Sequence, residues 1–489
     1  MEEILIYSLL SALILWVATK LITSTHKNHP PSPLALPILG HLHLLKEPLH
    51  RTLFTLSQKH GPIFSLKLGS RFLVVVSSPS TVQECFTKND IVLANRPRFI
   101  MGKYVGYNYT TLGLAPYGDH WRNLRRLSTI EIFSSTRLNM FLDIRRDEVS
   151  RLLRRLYQVS ADVFAKVELK SVFSELTFNI IMRMMAGKRY LGDEATQNSD
   201  EGRPFREMIR ELFELALVDY DRYIKRIKDL GSKTDELMQG MIHEHRSNKG
   251  DLNIKNTMIT HLLSMQESQP EYYTDEIIKG LIQVILNAGT DTTAITLEWA
   301  MSNLLNNPHV LEKARAELDK LVGQEKLVEE ADVAKLPYLQ NIISETLRLY
   351  PAAPLLVPHS ASEICSIGGY EIPKDAIVMV NAWAIQRDPK LWDDALSFKP
   401  ERFEEGKEMS DQIYKLMPFG LRRRACSGMV LAQHVLGLTL GALIQCFEWE
   451  RVSEKKIDMT EGQGLTMPKV QPLEAMCKAS QLGKKLLSF

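Results

Sequence analysis

A cysteine in a short, glycine-bounded run of arginines is the residue of this chain best placed to do chemistry. Cys426 lies in Pro418-Phe419-Gly420-Leu421-Arg422-Arg423-Arg424-Ala425-Cys426-Ser427-Gly428, just before the apolar stretch Met429 to Leu443, which reads as a helix. Its thiolate would sit near a helix N-terminus, where the dipole favours negative charge. The arginines help hold the sulfur ionised, and the glycines let the backbone come close to a flat partner. That setting points to a metal-ligating thiolate; the alternative for a lone cysteine is a buried structural thiol. A second cluster, Ala288-Gly289-Thr290-Asp291-Thr292-Thr293, lies inside an apolar helical run from Glu276 to Leu305. Glycine, aspartate and threonine are poor mid-helix choices. Polar groups buried in a long helix are either satisfied or functional, the structural alternative being a kink with back-bonded threonines.

Two further pairs share a helix face. Glu345 and Arg348 are spaced i, i+3 on Ile342 to Leu349, and Trp121 and Arg125 are spaced i, i+4. Taken alone, the first reads as a solvated ion pair and the second as surface stacking. The elements that must position these groups form a mainly α chain with a minor β region. Pro48 to His60 is predicted as an amphipathic helix ended by Gly61-Pro62. Ile63 to Leu68 and Arg71 to Val76 read as a hairpin. Ile91 to Pro116 lacks a clear period and is expected to be a long binding loop, with Tyr104 and Tyr107 among its aromatics. Trp121 to about Asn307 is mainly helical, Ser366 to Met379 turns β-like, and Gly464-Leu465-Thr466-Met467-Pro468 reads as a strand edge.

The chain has 489 residues and a formal net charge of +2, so nothing argues for a nucleic-acid partner. Its 5 cysteines form no CxxC pair, which disfavours zinc ribbons and a disulfide framework and suits a reducing compartment. Ile4 to Ile22 is almost wholly apolar and at ~1.5 Å per residue nearly spans a bilayer core of ~30 Å. The acidic start and the absence of a small-residue cleavage site favour an uncleaved anchor over a signal peptide. Lys20 and Lys27 then place the bulk of the chain in the cytosol. Residues 1–24 are expected to form the anchor, 25–40 a stiff proline-rich linker, and 41–489 one large domain.

The Cys426 run resembles the haem-binding loop of the cytochrome P-450 monooxygenases, with Phe419, Arg424, Cys426 and Gly428 on the family pattern. The 288–293 segment is similar to the family's oxygen-side motif, and Glu345, Arg348 and Arg402 (in Pro400-Glu401-Arg402-Phe403) resemble its Glu-x-x-Arg helix and downstream arginine. The resemblance runs from the proline hinge to the tail. It implies a b-type haem, held non-covalently since no CxxCH is present, with Cys426 as axial ligand to the iron. Trp121, Arg125, His359 and Arg424 would meet the haem carboxylates, and Glu345, Arg348 and Arg402 would form a buried structural triad. Gly289 would leave room for dioxygen, while Thr292 and Asp291 would supply a hydroxyl and a carboxylate for ordered proton delivery. Tyr104, Tyr107, Leu355, Leu356 and Leu465 are candidate substrate contacts. Electrons would come from NADPH through a separate cytochrome reductase, because the chain has no GxGxxG turn. Phe178 to Tyr190, Asn381 to Ile385 and Gly464 to Lys469 look plant-type, closest to the isoflavone hydroxylase-like group acting on flavonoids, isoflavones, lignans and xanthones. The implied setting is the endoplasmic reticulum membrane.

Two departures stand out. Arg422 occupies a loop position where the family has glycine; it is expected to add bulk and charge beside the sulfur and to weaken haem incorporation. The segment between Leu215 and Tyr223 is shorter than in relatives. A haem-thiolate isomerase or dehydratase that needs no reductase, and a non-catalytic haem or ligand binder, remain as alternative readings.

Overall fold

The apolar run around the threonine cluster forms one 32-residue helix, Asp275–Asn306. Thr274 caps it by accepting from Ile277 N, and Asp275 and Glu276 complement the dipole in its first turn. Its second half is buried on all sides, from Thr293 to Leu305, so it runs through the core. The Leu169–Ala186 helix packs along it closely enough that a Cβ on Gly289 would lie 2.8 Å from Ile181 Cδ1. The Met429–Cys446 helix crosses the same core. It is long and apolar enough to span a membrane, but it is mostly buried inside the fold.

The computed structural model describes residues 28–192, 202–215, 223–248, 256–404 and 412–488, together with residues 7, 8 and 11. The expected anchor therefore lies outside the described residues apart from those three positions, and so does the segment 216–222. The described part of the proline-rich stretch lies along the first strand. Ser65 donates from N to Pro31 O at 2.8 Å and from Oγ to Pro30 O at 2.9 Å. Gly40 meets Lys67 O so closely, at φ +63°, that only glycine fits.

Among the described residues the β part is small. β1 (Ile63–Leu68) and β2 (Arg71–Val76) form the expected hairpin. They continue into β7 (Ile377–Val380), parallel to β2, and β4 (His359–Ser360). β3 (Ala165–Glu168) pairs with β9 (Glu474–Ala479), which pairs with β8 (Phe447–Arg451), and β5 (Cys365–Ile367) with β6 (Tyr370–Ile372) make a separate ladder. β3 interrupts the helical stretch expected from Trp121 to Asn307. The 91–116 segment is not an unstructured loop: it contains a 3-10 turn, Val92–Ala94, and a short helix, Ile100–Tyr104. Tyr107, Asn108 and Tyr109 are then successively left-handed. Periodicity cannot show elements this short.

The tail from 464 to 468 is a turn, not a strand edge. Glu461 and Lys469 bridge its base, and Gly462 N donates to Pro468 O at 2.7 Å. Glu461 pins it. Its buried carboxylate accepts from His50 Nε2 at 2.8 Å, Arg51 Nε at 2.7 Å, Trp383 Nε1 at 2.8 Å and Arg387 Nη2 at 3.2 Å. Burial pushes this carboxyl up, but His50, Arg387 and Arg51 outweigh it and bring its pKa from 4.5 to about 2. The folded value is the lower one, so the cluster's contribution is complete above pH 4.5 and is lost as pH falls toward about 2. A shift of that size corresponds to ~3 kcal/mol. Urea-unfolding midpoints taken from neutral to about pH 3 should fall less steeply for Glu461→Gln than for the parent chain, and should start lower.

Candidate active site

A cavity of about 340 Å³ separates the cysteine loop from the middle of the Asp275–Asn306 helix. One wall is Phe419, Gly420, Leu421, Arg424 to Gly428, and Leu431, Ala432, Val435 and Leu436 of the following helix. The facing wall is Val284, Ile285, Ala288, Gly289, Thr292, Thr293 and Thr296, one stripe of the long helix. Leu112, Gly113, Phe133, Ile180, Ile181, Leu356 and Val357 supply most of the remaining apolar surface.

Cys426 is held by its N–H to Phe419 O at 2.8 Å and opens its thiol into the cavity. Close packing still raises the thiol pKa, against the opposing pull of the Gly428 N–H and Arg125. Left to the protein alone, the sulfur holds its proton; a cationic metal at the cavity wall would supply the missing stabilisation. Ser427 accepts from Arg125 Nη1 at 2.6 Å, and the same group donates to Ala425 O at 2.6 Å. Arg422 adopts φ +54°, the left-handed conformation a glycine would take freely. Its side chain does not crowd the sulfur as expected. It is exposed on the outer side of the loop, with Nη2 donating to Tyr414 Oη at 3.2 Å.

Arg125, Arg424, His359 and Trp121 all reach the cavity wall, as the sequence suggested, and they are joined by Arg96, which it did not. Arg424 donates to Ala94 O and Ala115 O, each at 2.6 Å, and lies 4.3 Å over the Trp121 ring. Trp121 Nε1 donates to Leu112 O at 3.2 Å. Arg96 Nη1 donates to Val357 O and Pro358 O, each at 2.8 Å, while its Nε is buried with no partner. Burial, with Arg424 nearby, lowers Arg96 to about 9; burial and Arg125 lower Arg424 to about 10. His359 is driven well down by burial and by Arg96, so it is neutral, with Nδ1–H on Leu93 O at 2.7 Å. No carboxylate lines this cavity among the described residues.

Behind the cysteine loop, Glu345, Arg348 and Arg402 meet as expected. Arg348 donates to Glu345 from Nε at 2.6 Å and from Nη2 at 2.8 Å, and Arg402 Nε donates to Glu345 Oε1 at 2.9 Å. Arg348 also donates to Gln386 O and Ala395 O, so the buried charges have the added hydrogen bonds that such a cluster requires.

Other expected positions fall elsewhere. Thr292 is on the wall, with Oγ1 donating to Ala288 O at 2.6 Å. Asp291 is not: one residue along the helix, it turns about 100° aside and accepts from Thr466 Oγ1 at 2.9 Å. Gly289 is on the wall, yet its missing Cβ is required by Ile181 as much as by any ligand. Leu356 lines the cavity, whereas Leu355 packs into a separate core with Leu53 and Phe64. Tyr104, Tyr107 and Leu465 do not line it either. Tyr104 carries Lys228 over its ring and Tyr107 carries Lys279, so both are used in packing. Phe133 and Arg96 are among the wall residues the sequence did not single out. The only signal for Arg96 was a cation beside Pro97 in an aromatic segment.

The residues fit a flat dianionic metal group. They offer one thiol on one face, a hydroxyl stripe on the other, and guanidiniums with an orphaned buried donor at the margin. That is a haem-thiolate site. The chain belongs to the cytochrome P450 family, which matches it over residues 30–473, and it is accordingly a haem-dependent monooxygenase. It is 56% identical to an isoflavone 3'-hydroxylase from Medicago truncatula, covering 97% of each chain. It is 53% identical to an isoflavone 2'-hydroxylase from Glycyrrhiza echinata, covering 94% of each. It is 54% identical to a (+)-piperitol/(+)-sesamin synthase from Sesamum radiatum, over 94% of this chain and 92% of that one. A zebrafish cytochrome P450 solved with abiraterone superposes with a TM-score of 0.76 at 26% identity, over 88% of this chain and all of that one.

Releasing Arg422 from its left-handed conformation should stabilise the loop, less the larger backbone entropy of glycine, by under ~1 kcal/mol net. Thermal unfolding of the haem-loaded protein should rank Arg422→Gly above the parent and the parent at or above Arg422→Ala, which loses the Tyr414 bond without relieving φ.

Proposed function

We propose that this cytochrome P450 hydroxylates, or oxidatively closes a ring on, an apolar phenolic plant metabolite of the flavonoid, isoflavone, lignan or xanthone type. The observation that carries the reading is the opposition of Cys426 and Thr292 across one cavity that is largely apolar between them and carries guanidiniums at its margin. When bound, the haem supplies dioxygen activation with electrons passed from NADPH by a separate reductase. Cys426 would ligate its iron and Arg96, Arg125 and Arg424 would bind its carboxylates, while Phe419 and Gly428 shape the cysteine loop. Thr292 presents its hydroxyl on the oxygen side, and Asp291 feeds protons to that hydroxyl from behind the wall. Ile180, Ile181, Val284, Ile285 and Leu356 exclude water and hold an aromatic substrate by burial. Support for the substrate class comes from the isoflavone hydroxylases and the lignan-type synthase to which the chain is similar.

The protein acts at the endoplasmic reticulum membrane, held by residues 1–24, with its domain facing the cytosol. Support for this is the apolar run Ile4–Ile22, with Lys20 near its end and Lys27 after it. Two alternatives, an isomerase needing no reductase and a non-catalytic binder, separate from this reading in a single assay. The full chain, co-expressed with a plant reductase and offered a panel of isoflavones, flavanones and lignans, should yield NADPH-dependent products heavier by one oxygen or lighter by two hydrogens. Thr292→Val should keep the haem and lose about 10²-fold in product rate. Turnover that ignores NADPH, or no product with any phenolic, would overturn the proposal.

A further inference from the structure

We infer that Thr466 is a positioning residue for proton delivery, holding the Asp291 carboxylate behind the cavity wall and setting how much reduced oxygen reaches product. The inference rests on the role proposed for Asp291. Adjacent residues on a helix point about 100° apart, so with Thr292 on the wall Asp291 must face the seam beside it. The structure fills that seam with the C-terminal turn. Thr466 Oγ1 donates to Asp291 Oδ2 at 2.9 Å, and Thr466 is only 6% exposed. A threonine hydroxyl has one hydrogen, and here it goes to the acid, so Asp291 is kept as an acceptor.

Thr466 has little freedom to drift. Its neighbour Met467 donates from N to Ala352 O at 2.9 Å and accepts from Trp299 Nε1 at 2.8 Å. Ala352 lies on the cavity wall and Trp299 lies on the same helix as Asp291. The base of the turn is pinned by the four donors on Glu461. The bond therefore ties the acid to a turn that is itself fixed to the cavity wall and to the helix carrying the acid. Facing Asp291 from the packed Leu169–Ala186 helix is Lys170, which also acts on Glu298 two turns further along, itself faced by Lys469. Burial raises Asp291, while the Thr466 bond and Lys170 oppose it. Loss of the donor leaves a buried carboxylate that protonates more readily or turns toward another partner.

The electron balance makes the consequence measurable. Coupled turnover takes RH, O2, NADPH and H+ to ROH, H2O and NADP+. Failed proton delivery takes O2, NADPH and H+ to H2O2 and NADP+. In the reductase-coupled full chain, Thr466→Val should keep its haem content and lower product formed per NADPH about tenfold, with peroxide rising to match. It should also raise the solvent deuterium isotope effect and shift the alkaline limb of the product-rate profile upward by about one pH unit. Thr466→Ser should restore all of these. Asp291→Asn is measured beside them. If Asp291→Asn uncouples turnover and Thr466→Val does not, the inference alone fails. If neither uncouples, the role given to Asp291 fails and takes the inference with it. A Thr466→Val protein that loses haem or thermal stability but keeps its coupling per haem has a structural threonine only, and that too overturns the inference.

Discussion

The structure depends on three guanidiniums at the margin of one buried cavity. Arg96, Arg125 and Arg424 face a space without a carboxylate, and isolated charges in such a place are costly to bury. The chain offsets part of that cost with backbone carbonyls. Arg424 takes those of Ala94 and Ala115, Arg125 that of Ala425, and Arg96 those of Val357 and Pro358. Each arginine thereby stitches a different loop to the site. The cations a dianionic haem requires are the same groups that bring the 91–116 segment, the cysteine loop and the strand-leading turn at 357–358 together. What remains unsatisfied is Arg96 Nε, a buried donor at the margin of the cavity that a haem carboxylate would meet.

The two walls are then set by packing. Gly289 lets the Asp275–Asn306 helix settle against Ile181, which fixes the turn carrying Thr292 relative to the cavity. On the opposite side, the Glu345 cluster fixes the Leu349 end of its helix beneath the cysteine loop, through Gln386, whose Oε1 accepts from Met417 N at 3.1 Å. Met417 is one residue before the loop begins. The strain at Arg422 sits at the loop's outer face, away from the thiol. The departure from the family pattern at Arg422 is thus one of backbone conformation, with the side chain turned outward to Tyr414.

The parts of the site carried by local spacing were legible in the sequence. Cys426 and the 288–293 cluster each sit in a short run whose residue types conflict with their surroundings, and the structure places Cys426 and Thr292 on one cavity; the Glu345/Arg348 pair alone read as a solvated ion pair, and only the family resemblance, with Arg402, pointed to the buried triad the structure shows. Arg96, Phe133 and Thr466 were not legible as site residues, because each owes its place to partners far along the chain that no local pattern announces. Tyr104, Tyr107, Leu355 and Leu465 show the reverse error. An aromatic or apolar side chain in a loop reports that it will be buried, but gives no sign of which cavity or core will bury it. Asp291 is an intermediate case: its type signalled chemistry, yet a single helical step turns it from the cavity to Thr466.

The most direct test of the account is iron-edge X-ray absorption on the haem-loaded full chain and on Cys426→Ser. The account predicts an iron–sulfur scattering shell in the parent chain that disappears in the variant while the haem carboxylate partners remain. An iron–sulfur shell that persists in Cys426→Ser, or a parent chain whose iron has only nitrogen and oxygen neighbours, would contradict it.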